Sequence, residues 1–138
     1  MDINWLALSP SITLLAFACV AILFAVFQPE DDRGTAGVSL LAVIFAAVVN
    51  FHVFAQGDYN LSSLGLRYFP DQAALSFNFI ILLGTFLAIL ISFDYLRRTE
   101  LNHPEYYPLM LLSACGAMVM AAAGDMITLV LGLEIMSL

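Results

Sequence analysis

Lysine is missing from this 138-residue chain altogether, and four arginines supply all of its basic charge. Charged residues of either sign make up 11% of it, where soluble domains carry about a quarter. So few cations leave no basic patch for a nucleic acid to sit on, so nucleic acid is excluded as a partner. Cysteine is nearly missing too: Cys19 and Cys115 are far apart and inside apolar runs. That spacing holds no metal or iron–sulfur cluster and points to two packing residues. The chain has no G-x-G-x-x-G loop and no polar stretch long enough for a soluble domain. No flavin, nicotinamide or iron–sulfur cofactor is therefore expected in it.

What the chain has in abundance is apolar residues: 62% of the total, with a mean hydropathy of +0.97. These values describe an integral membrane protein, with the lipid bilayer as its first partner. A hydrocarbon core about 30 Å thick takes about 20 apolar residues of helix. Four runs fit that length: residues 5–27, 37–54, 73–93 and 106–123. A fifth begins at Asp125 and continues to residue 138. The first run has neither a basic leader nor an A-x-A site and reads as a span, not a cleaved signal. The expected fold class is an all-α, polytopic transmembrane helix bundle, forming a single membrane domain over residues 1–138. Because no polar or charged stretch carries the fifth run into the headgroups, the sequence reads as the N-terminal portion of a longer subunit.

The net charge of −7 matters less than where the acids lie. Asp2, Glu30, Asp31, Asp32, Asp58, Asp71, Asp94, Glu100 and Glu105 stand at or beyond the ends of apolar runs. Arg33, Arg97 and Arg98 fall in the first and third connections and Arg67 in the second. By the positive-inside rule this three-to-one bias places the N-terminus outside. The connection at 56–72 is long enough for a short hairpin or an amphipathic element. In the connection at 94–107, Asp94 lies three and four residues ahead of Arg97 and Arg98, the spacing of a local helix-end ion pair. His103 belongs to the same solvated connection.

Only Glu134 is well inside an apolar run. Nine residues past Asp125, it lies roughly 13 Å into the membrane at 1.5 Å per residue. A carboxylate there costs about 2.5–3.5 kcal/mol on insertion scales. It is kept where it faces a bundle interior or a water-filled cavity, either protonated or paired. Desolvation raises the pKa of such a group and a nearby cation lowers it, and a proton relay needs that balance. The bland alternative is a protonated glutamate that joins helices by hydrogen bonding. Asp125 sits half a revolution away from Glu134 and reads as the N-cap of the fifth helix. Asn50 and His52 lie near the end of the second span, where a single histidine reads as a packing residue more readily than as a titrating one. Ser113, Ala117 and Ala121 recur every four positions on the fourth span. They form a stripe for close helix approach, with the fifth helix as the nearest partner.

The stretch "PEYYPLMLLSACGAMVMAAAGDMITLVLGLEIMSL" closely resembles the fourth and fifth helices of subunit N of proton-pumping NADH:quinone oxidoreductase, respiratory complex I. "YFPDQAALSFNFIILLGTFLAILISFDYLRR" is similar to that family's third helix. Residues 68–138 carry the resemblance, and the first two spans follow by hydropathy alone. One departure is "LALSPSITL", where the family often has an acid after the proline and this chain has Ser11.

The resemblance implies an antiporter-like fold of about fourteen helices with inverted repeats. It implies proton translocation driven by quinone reduction in other membrane-arm and peripheral subunits, which handle the flavin, iron–sulfur clusters and quinone. It also puts Glu134 on the family's glutamate, the residue that exchanges a proton with a lysine on a later helix, and the N-terminus outside a bacterial plasma membrane. Two other classes fit the same residues: a subunit of a related multisubunit cation/proton antiporter, and a non-transporting structural membrane subunit.

Overall fold

The computed structural model describes residues 5–28, 32–56, 68–69, 71–98 and 103–137. Five helices follow one another: α1 (Trp5–Phe27), α2 (Asp32–Gln56), α3 (Gln72–Arg98), α4 (Tyr106–Ala121) and α5 (Met126–Met136). No strand lies among the described residues, where the one non-helical pairing is an isolated antiparallel bridge between Tyr68 and Ala123. The protein is an all-α bundle of membrane type. α1, α2 and α3 are long and apolar enough to cross a bilayer; α4 and α5 are apolar but shorter.

The helices and the apolar runs differ at their ends for local reasons. α2 starts at Asp32, ahead of the apolar run, and α3 continues past its run to Arg98. A helix stays hydrogen-bonded beyond the hydrocarbon as long as nothing breaks it. α3 begins where Asp71 caps it, its carboxylate accepting from the Ala74 amide at 2.7 Å. α4 ends at Ala121, two residues before the apolar run does, because Ala122 leaves helical geometry and the Phe69 amide takes its carbonyl at 2.8 Å.

α4 occupies the centre, packing against each of the other four helices, while α1 also packs on α2 and α2 on α3. The shared core holds Leu14, Ala18 and Ala21 of α1, Ala42 and Ala46 of α2, and Leu111 and Met118 of α4. Buried Leu14, Ala18, Ala21 and Ala25 follow the three-to-four spacing of one helix face. Lipid tails are as apolar as leucine, so small residues here act by letting helices approach and make dense van der Waals contact. The opposite faces carry Leu23, Val26, Leu41, Ile80 and Ile91, all exposed, as a lipid-facing surface requires. Hydroxyls inside the helices satisfy themselves on the preceding turn: Ser39 donates to the Thr35 carbonyl at 2.9 Å and Thr85 to Ile81 at 2.8 Å.

Several expectations change. Cys19 is exposed, not packed; Cys115 is buried and directs its thiol at the Ser11 carbonyl at 3.5 Å. Cys19 falls beside Ala18 on the helix face turned away from the core of the described helices. His52 is exposed too, two residues past buried Asn50 on the far side of α2. The hairpin or amphipathic element expected between 56 and 72 falls mostly on residues 57–67 and 70, outside the described residues. The side chains of Arg97 and Arg98, and so their expected pairing with Asp94, also lie outside them; His103 is exposed.

Candidate functional site around Glu134

α5 is a short helix with a defined start. Asp125 has extended backbone angles, and its carboxylate accepts from the Thr128 amide at 2.8 Å, as the N-cap reading anticipated. Among the described residues, α5 packs on α4 alone, through a contact of two glycines. A Cβ placed on Gly116 would meet the backbone nitrogen of Met136 and come within 2.7 Å of the Gly132 carbonyl oxygen. One placed on Gly132 would come within 2.7 Å of the Met120 side chain and 2.9 Å of the Met120 nitrogen. The two backbones touch, so neither position admits a side chain.

This corrects the small-residue stripe. α5 is indeed the close partner of α4, but its tightest contact is at Gly116, while Ser113, Ala117 and Ala121 are half-buried. Ser113 and Ala117 instead line a groove of about 320 Å³ shared with Gly84 and Thr85 of α3 and Met136 of α5. The glycine at 116 sits one position before Ala117, about 100° round the helix, which a four-residue repeat search passes over.

Gly132 is the buried residue of α5, and Glu134, two positions on, is turned away from α4 and exposed. Around it stand exposed Val130, Leu131 and Leu133, while Ser137 donates to the Glu134 backbone carbonyl at 3.0 Å. Asp125 and Glu134 are on opposite sides of the helix, and no pair of carboxylates forms. No group of three or more metal-ligating side chains occurs among the described residues. The site is thus one carboxylate on the outward face of a helix whose inward face is locked by backbone contact.

A second polar element joins α2 and α3. Buried Asn50 donates to the Leu75 carbonyl at 3.0 Å, and buried Asn78 donates to Asn50 Oδ1 at 3.3 Å. Asn78 Oδ1 has no hydrogen-bond partner among the described residues. The sequence reading singled out Asn50 but missed Asn78; a polar amide six residues inside the α3 helix was the available signal.

Comparison with known proteins gives this arrangement its setting. No protein-family profile matches the chain. NADH-quinone oxidoreductase subunit N of Trichlorobacter lovleyi is 37% identical over 140 residues, an alignment covering 99% of this chain and 28% of that protein. Subunit N 2 of Solibacter usitatus is 32% identical over 136 residues, covering 94% and 28%. The chain belongs to the subunit N family. Subunit N 1 of Sorangium cellulosum, 39% identical over 112 residues, covers 80% of the chain and 22% of its own length. The chain therefore spans little more than a quarter of the first two relatives. Each of those relatives is named as a subunit of an NADH-quinone oxidoreductase.

Proposed function

We propose that the chain forms part of a proton-translocating subunit of NADH:quinone oxidoreductase, with Glu134 as a proton-exchanging group. The observation that carries this reading is the position of Glu134: an ionisable side chain in the last turn of the apolar helix α5, nine residues past its Asp125 cap, on the face that the other described helices leave uncovered. A charge at that depth costs about 2.5–3.5 kcal/mol, so the face is covered by protein or by water-lined surface, not by lipid tails. The basic partner is a lysine from outside these residues. As that cation nears, it favours the ionised carboxylate; as it withdraws, desolvation favours the protonated form. Alternation between the two moves a proton, while electron transfer takes place in other subunits. The arginine bias orients α5 from the outside of a bacterial plasma membrane inward.

In the assembled complex, Glu134→Gln keeps the size and hydrogen-bonding capacity of the side chain but cannot ionise. We expect quinone reduction to continue with fewer protons pumped per electron pair and with normal assembly. Undiminished pumping by the assembled variant would sink the assignment. Copurification with redox subunits separates this reading from a cation/proton antiporter of the related type.

A further inference from the structure

Tyr68, in the connection between α2 and α3, is 2% exposed, which is unusual for a side chain in a loop. Its hydroxyl shares a hydrogen bond of 3.2 Å with Ser11 Oγ of α1, itself 5% exposed. The Ser11 backbone carbonyl accepts the Cys115 thiol of α4 at 3.5 Å, so Ser11 joins the loop to two helices. On the other side of Tyr68 the backbone pairs with the α4–α5 turn. Tyr68 bridges Ala123, and the Phe69 amide donates to the Ala122 carbonyl at 2.8 Å. That carbonyl belongs to the residue that terminates α4, three positions before the Asp125 cap of α5.

The consequence lies in how α5 is held. The glycine contact, with the Met120 side chain seated against Gly132, sets its distance from α4, and the short turn over residues 122–125 sets where along the axis it begins. Among the described residues α5 has no other helix to fix its height. The turn fixes it, and the turn is tied to α1 through Tyr68.

We propose that Tyr68 and Ser11 are positioning residues that set the depth of Glu134 in the membrane by strapping the α4–α5 turn to α1. The inference rests on the proton-exchange reading of Glu134 above. Tyr68 touches no proton in transit; it acts through the register of α5. A carboxylate and its basic partner must meet within a few ångströms to exchange charge effects, and a shift of one helical residue is about 1.5 Å.

The test is made in the assembled complex with Tyr68→Phe, Ser11→Ala and the double variant, and with Glu134→Gln beside them. Hydrogen exchange of the Phe69 amide reads the strap directly. Losing the hydroxyl contact should speed that exchange roughly fivefold, the weight of one net hydrogen bond. The double variant should match either single one, because both remove the same bond. Protons pumped per electron pair should fall while the rate of quinone reduction stays within about twofold of the parent, a split that a general loss of folded complex does not produce. Unchanged Phe69 exchange would overturn the strap. Faster exchange with normal pumping would overturn its positioning role, and normal pumping by Glu134→Gln would overturn the reading beneath it.

Discussion

The α4–α5 seam and the α2–α3 seam solve the same problem by opposite means. Helices in lipid gain little from hiding apolar surface and must associate through close packing or polar contact. α4 and α5 use packing: Gly116 and Gly132 bring two backbones together with no polar side chain between them. α2 and α3 use polar contact: Asn50 and Asn78 bond across the seam, and an apolar cleft of about 420 Å³ between the two helices is lined by Val43, Ala47, Phe79 and Phe86. The difference teaches where tolerance lies. A backbone contact fails with any added atom, whereas an amide pair fails only when one member loses its partner. The rigid seam holds the helix that carries Glu134.

The strongest way to break this contrast is Gly132→Leu. A leucine has no room against Met120 and Gly116, so α5 must leave α4; overpacking costs about 1–3 kcal/mol and more where backbone is the obstacle. We expect loss of assembled subunit, measured by protease protection and by recovery in the purified complex. Next comes Asn78→Leu, which strands the Asn50 side-chain oxygen Oδ1 in an apolar seam at about 1–3 kcal/mol. Thermal unfolding of the purified protein should show a lower midpoint, and Asn50→Leu/Asn78→Leu should recover part of the loss. Full additivity would mean that the two amides do not act as a pair.

Gly84→Ala sharpens the contrast further, with a smaller effect of opposite sign. Nothing lies within 4 Å of an added Cβ at Gly84, so the helix should gain about 0.8–1 kcal/mol and raise the midpoint of this 138-residue chain. The smallest effect concerns the strap. Burial raises the Tyr68 phenol above its ordinary pKa of 10.0, opposed in part by the Ser11 hydrogen bond. A raised pKa means that the neutral phenol stabilises the fold. That contribution is complete below the unfolded value and is lost as pH rises through the folded one. Ultraviolet titration should show a late-ionising tyrosine that Tyr68→Phe removes, and the Phe69 amide should stay protected at pH 9.

Apolar run length made the helices legible because a bilayer sets a minimum length, and the N-cap role of Asp125 could be read from its position alone. Cys19 and His52 could not be placed, because an all-apolar helix shows no amphipathic pattern to tell its lipid face from its protein face. Nor could Ser113, Ala117 and Ala121: their spacing defines a face, but many residues compete to be the point of closest approach. Tyr68 was hidden in a connection whose sequence has no periodicity, and its partner Ser11 is 57 residues away.

The sequence by itself determined that this chain lies in a membrane, where its helices run, and that Glu134 is the one charge well inside an apolar run. Those are one-dimensional properties, set by the hydrophobic thickness of the bilayer and the cost of charge within it. Only the tertiary structure decided which glycines touch, that Asn50 pairs with Asn78, and that a loop tyrosine ties down the turn before α5. Each depends on distances between residues remote in the chain, and those distances are set by how closely one helix backbone can approach another.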